Sequence, residues 1–137
     1  MLKRFSISLE DSLLEKFDKM IENEGYSNRS EAIRDLIRDT FVQKEWLEGD
    51  RETAGVAVLV YDHHRHELAQ KLVDVQHHDF KCIVSSLHVH LDEHNCLEVI
   101  VLRGKAKKIQ KLADSLISTR GVVHGRFIGT TTGKELI

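Results

Sequence analysis

The sequence holds no apolar run approaching the roughly 18–20 residues that a membrane span requires, and its start, MLKRFSISLEDS, lacks a secretory core. A cytoplasmic protein without a membrane partner is the expectation. Basic charge is also short. The net charge is −2, and residues 1–50 carry 8 Lys and Arg against 12 Asp and Glu. That excludes a broad cationic surface, so any nucleic-acid contact must come from a few placed side chains and helix N-termini. Cysteine is confined to Cys82 and Cys96. In a reducing compartment two thiols suit metal ligation or core packing better than a bridge. No internal repeat or low-complexity tract is present. What remains is a globular composition, 41% hydrophobic and 31% charged over 137 residues. Such a chain encloses one ordinary core, or two small ones if a second subunit helps.

The histidines are unevenly placed: all nine follow Asp62. Before them, residues 3–9 (KRFSISL) alternate with period two, Phe5, Ile7 and Leu9 on one face and Arg4, Ser6 and Ser8 on the other, which predicts a short half-buried strand. Ser8 and Asp11 suggest a capping box that opens a helix over residues 10–24, with Leu13, Leu14, Phe17, Met20 and Ile21 on one stripe. Gly25 falls where a left-handed cap belongs. Ser27 or Asn28, with Glu31 following, starts a second helix whose stripe is Ala32, Ile33, Leu36, Ile37 and Phe41. One strand and two helices cannot enclose a core, and a lone strand leaves its ladder unpaired. Pairing with the same strand of a second copy answers both problems.

The polar stretch EWLEGDRET (45–53) reads as a linker between a domain at 1–44 and one at 54–137. Beyond it the patterns give strand 54–61, helix 63–75, strands 82–91 and 97–103, helix 105–118 and strand 121–130. This βαββαβ order is ferredoxin-like, and the fold class is α+β.

Two chemistries stand out. A paired N-terminal ribbon would expose both copies of Arg4, Ser6 and Ser8, which suit base edges in a major groove. The second helix would aim Asn28, Arg29 and Ser30 at a phosphate. The strand RFSISL and the turn-helix GYSNRSEAIRDLIR resemble the ribbon-helix-helix repressors. A plain dimerisation module is the bland alternative. The second chemistry is HVHLDEHNC (88–96). If Leu87, Val89, Leu91, Leu97, Val99 and Val101 form the core face, an odd loop of Glu93-His94-Asn95 opposes Val89 to Val99. His88, His90 and Cys96 then share the face away from the helices. Two imidazoles and a thiolate suit nickel, copper or zinc, not calcium or magnesium. A polar sheet face is the bland alternative here. His77 and His78 are the candidate fourth donors, reaching the hairpin from another subunit. His63, His64 and His66 are expected on the surface near a helix start, His94 at a loop tip, and Cys82 as a small strand residue.

Taken together, RFSISL, GYSNRSEAIRDLIR, the QHH of 76–78, LHVHLDEHNCLEVIVLRG and RGVVHG resemble the nickel-responsive transcriptional regulators called NikR. The resemblance implies an ACT-like C-terminal domain that builds a homotetramer, a dimer of dimers, flanked by DNA-binding dimers. It assigns one square-planar Ni(2+) per subunit to His88, His90 and Cys96 with His77 of a neighbour, and disfavours His78. It implies operator contacts from Arg4, Ser6 and Ser8, and from Arg65 on the 62–67 loop, where His66 departs from the basic residues of some relatives. Glu31 and Asp35 match acidic positions of a second cation site. The expected function is nickel-responsive repression, through double-stranded operator DNA, of nickel uptake. A repressor keyed to copper or cobalt, or a metal-independent antitoxin or scaffold, are the alternatives. A metal hydrolase is disfavoured, because Glu98 has no partner that would make it a general base.

Overall fold

The computed structural model describes residues 1–136. They divide into two compact units, residues 1–40 and 41–136.

In the first unit, residues 1–10 are neither helical nor sheet-paired. A strand exists only with a ladder partner, and a single chain offers none, so Phe5 and Ile7 are 72% and 63% exposed. Helix α1 (Asp11–Asn23) follows Glu10, whose side chain caps nothing. The expected Ser8 box is therefore absent: the chain enters α1 two residues later than that box requires. At the other end Gly25 adopts φ +82°, and the Tyr26 amide donates to Ile21 O while the Gly25 amide donates to Glu22 O. This left-handed close satisfies two otherwise orphaned carbonyls. Helix α2 (Arg29–Glu48) opens on Asn28, whose Oδ1 accepts the Glu31 amide at 2.9 Å. Ser27 is not the cap. Only Ile21 and Ala32 are buried in this unit, while Leu13, Leu36 and Ile37 stay exposed.

The segment expected as a linker, 45–53, has structure at both ends: residues 45–48 continue α2, and β1 (Glu52–Asp62) begins within it. The chain continues as α3 (His66–His78), a single 3-10 turn (Phe80–Cys82), β2 (Ile83–His90), β3 (Asn95–Lys105), α4 (Ala106–Ile117) and β4 (Val122–Gly129). The sheet order is β2-β3-β1-β4 with every neighbour antiparallel, the ferredoxin-like arrangement anticipated. Gly129 lies so close to the Trp46 indole that a Cβ there would stand 2.5 Å from the ring. Trp46 also donates its indole N–H to Thr130 O and meets Phe127 edge-on.

The core lies on one face of the sheet. Ala57, Leu59 and Tyr61 from β1 and Cys96, Ile100 and Leu102 from β3 pack with Leu68 and Leu72 of α3 and Ile109, Leu112, Ala113 and Leu116 of α4. This reverses the expected hairpin face. Leu97, Val99 and Val101 point to the opposite side, where Val56, Val58 and Val60 join them half-buried and Leu87 is 59% exposed. Both faces of β1 and β3 are apolar, so alternation could not choose between them. The helices decide it.

Candidate metal centre and nucleic-acid interface

The β2–β3 turn is set by one carboxylate. Asp92 accepts the His94 and Asn95 amides at 2.8 and 2.7 Å, and these bonds hold its carboxyl down at about 2. The Leu91 amide donates to Asn95 O. The resulting register opposes His90 to Cys96, His88 to Glu98 and Val89 to Leu97. The expected opposition of Val89 to Val99 is thus displaced by two residues. A displacement of two keeps side-chain parity. His88, His90 and Cys96 therefore do share a face, as expected, but it is the helix-covered face, and Cys96 is fully buried.

Around this triad the structure adds groups that the sequence pattern did not single out. The Cys96 thiol contacts Tyr61 O at 3.3 Å, and burial pushes it above the ordinary thiol range. Tyr61 donates its hydroxyl to Glu98 at 2.7 Å, and Gln76 of α3 donates to the other Glu98 oxygen at 3.0 Å. Burial, with the Glu98 hydrogen bond, raises Tyr61 far above the usual phenol value, so it stays a donor. Glu98 is thereby a satisfied buried carboxylate that ties the end of α3 to the sheet. Gln76 precedes His77, which is exposed with His78 in the last turn of α3. The ring centres of His88 and His90 are 5.3 Å apart, and His88 meets Tyr61 edge-on.

The donor types fit a borderline ion such as nickel: two imidazoles, with a thiol directly across the ladder from one of them. Among the described residues, no three His, Cys, Asp or Glu side chains converge closely enough within one chain to hold a metal ion.

In the first unit, Arg4, Ser6 and Ser8 are exposed. Arg29 is held by Asp18 through two bonds of 2.8 Å, which lower the Asp18 carboxyl and raise Arg29. Ser30 is exposed beside it. The proposed cation pair is engaged locally: Glu31 with Arg34, and Asp35 with Arg38 and the Tyr26 hydroxyl at 2.9 Å. Arg65 is the exposed residue preceding α3. It lines an open cleft with His66, Lys71 and Arg120.

Comparison with known proteins matches this arrangement in both parts. Residues 3–43 match the family described as ribbon-helix-helix protein, copG family, and residues 54–130 match the NikR C terminal nickel binding domain. A helix pair of the first kind with a sheet domain of the second defines a transcriptional regulator rather than an enzyme. Curated relatives carry the name "Putative nickel-responsive regulator". The protein from Thermococcus onnurineus is 56% identical over 99% of both chains. Those from Pyrococcus furiosus and Geobacter metallireducens are 57% and 56% identical, covering 98% and 97% of this chain and 97% and 96% of theirs. The chain belongs to the nickel-responsive regulator family. A solved structure of an uncharacterized protein from Thermotoga maritima covers 59% of this chain and 100% of its own, with a TM-score of 0.53 at 15% identity; it shares the fold alone.

Proposed function

We propose that this chain is a nickel-dependent, sequence-specific repressor of nickel uptake. The observation that carries the reading is the β2–β3 ladder, which sets His88, His90 and Cys96 on one face with His90 directly opposite Cys96. His77 of a second copy would be the fourth donor, giving one Ni(2+) per subunit. When bound, nickel supplies a bridge between chains. The Glu98 bonds to Tyr61 and Gln76 hold the last turn of α3 in a fixed setting against the sheet, so donors at that turn are already oriented.

The rest of the molecule supports an oligomer. The sheet face bearing Val58, Val99, Leu87 and Ile128 is apolar and open within the chain, which suits the core of a homotetramer built as a dimer of dimers. The apolar side of residues 3–9 suits pairing with the same segment of a second copy. That pairing presents Arg4, Ser6 and Ser8 to base edges of double-stranded operator DNA. Asn28, Arg29, Ser30 and Arg65 would meet phosphates. The domain division at 1–44, 45–53 and 54–137 belongs to this reading, as does a second cation at Glu31 and Asp35. Metal acts by favouring the DNA-competent population; a coupling of about 1–3 kcal/mol, roughly 5–150-fold in affinity, is ordinary for such linkage.

Operator-fragment binding with and without nickel, at fixed salt, tests the reading. Nickel should tighten binding, and Cys96→Ser should remove that dependence. An operator affinity indifferent to nickel in the unaltered protein would overturn it.

A further inference from the structure

We propose that His63, His64 and His94 form a second, all-imidazole site for a divalent transition ion, distinct from the donor set of His88, His90 and Cys96. The inference goes beyond the nickel reading and rests on a different part of the chain. β1 ends at Asp62, and the chain turns back against the β2–β3 loop, where the His63 amide donates to His94 O at 3.0 Å. The His64 amide donates to Asp62 Oδ1 at 2.9 Å. These bonds bring three imidazoles from two separate turns together. The ring centres of His63 and His64 are 4.3 Å apart, and those of His64 and His94 are 5.6 Å apart.

Two imidazoles bound to one ion place their ring centres about 3 Å from it, hence roughly 4.5–5 Å from each other. The observed spacings bracket that value. The nitrogens do not yet converge, in keeping with the lack of any three-donor group among the described residues. His64 and His94 are exposed, so rotation about their side-chain bonds meets little resistance.

Two further observations point to a ligand rather than to idle packing. His63 Nδ1 is buried and has no hydrogen-bond partner. An unpaired buried nitrogen costs free energy that a bound cation would recover. His64 has a ring nitrogen, Nε2, 2.7 Å from the Glu93 carbonyl. A carbonyl only accepts, so Nε2 carries the proton and Nδ1 is left with its lone pair. A ring that donates to a backbone carbonyl through one nitrogen and binds metal through the other is the usual setting of a metal-ligating histidine. With imidazole donors alone, zinc, copper(II) and nickel are the favoured ions and calcium and magnesium are not. His63 also packs edge-on against His90 at 4.5 Å, so the second site shares a wall with the first donor set. Ions on both sides of that wall repel, and the all-imidazole site fills second.

The test uses the full-length protein loaded with one equivalent of nickel and then dialysed against zinc, with both metals counted by elemental analysis. The expected result is one zinc per chain retained in addition to nickel, with the thiolate-to-nickel absorption unchanged. His64→Ala, which alters an exposed ring, should weaken zinc retention at least tenfold; His63→Ala/His64→Ala should abolish it, with circular dichroism reporting an intact fold. Equal zinc retention in both variants, no zinc in the unaltered protein, or zinc gained only as nickel is lost would each overturn the proposal. Failure of the nickel reading looks different: nickel binding would survive Cys96→Ser. The zinc comparison can then still be made on nickel-free protein.

Discussion

The two units meet the problem of enclosing a core in opposite ways. Residues 41–136 close a four-stranded sheet under α3 and α4 and bury Leu59, Ile100, Leu102, Ile109 and Leu116 almost completely. Residues 1–40 bury only Ile21 and Ala32 and leave Phe5, Ile7 and Leu13 in solvent. The first arrangement is stable as a chain, while the second asks for another molecule. A protein that joins the two can hold a rigid sensing scaffold while leaving its reading head dependent on assembly.

Breaking the contrast from the self-sufficient side should have the largest effect. Leu59→Ala removes a fully buried side chain from the centre of β1 and should cost about 2–5 kcal/mol in urea unfolding. Phe5→Ala, by comparison, removes a side chain that this chain leaves in water. It should leave the unfolding of residues 41–136 unchanged and instead raise the protein concentration needed for operator binding, as titration would detect. If Phe5→Ala lowers unfolding stability as Leu59→Ala does, the contrast is wrong. Asn28→Ala removes the single side-chain cap of α2 and should cost about 0.5–2 kcal/mol, confined to the first unit and read by hydrogen exchange at Glu31.

The smallest effect is a pH dependence at the β2–β3 turn. The Asp92 carboxyl is lowered from its ordinary 3.8 to about 2 by the Asn95 and His94 amides. Its stabilising contribution is complete above about pH 4 and is lost as pH falls through about 2. Amide exchange at His94 and Asn95 should accelerate over that window, and Asp92→Ala should give the fast rate at every pH.

Much of this was legible in the sequence. The βαββαβ order followed from patterns of period two and period 3.6, and the Gly25 close followed from residue type. The donors His88, His90 and Cys96 were also picked out as sharing a face, because parity survives a register displacement of two. Which face they occupy was not legible. Valine and leucine line both sides of β1 and β3, and only the packing of Ile109, Leu112 and Leu116 against Ile100 and Leu102 separates inside from outside. The loop length was hidden for a related reason: Asp92 organises the turn with its side chain, which hydrophobic alternation does not register. His63 and His64 read as surface residues because their neighbour is His94, 30 positions from His64 in the chain, across a backbone bond that no local pattern announces.

The sheet that is apolar on both sides also has a consequence for synthesis. A newly made chain that has folded its second unit still carries an adhesive plane of valine and leucine into the crowded cell. Its fate then depends on how soon it meets a sibling rather than a chaperone or a foreign β-edge. Overproduction, or a partner-deficient variant, would therefore be penalised through precipitation well before any loss of metal or operator affinity became measurable.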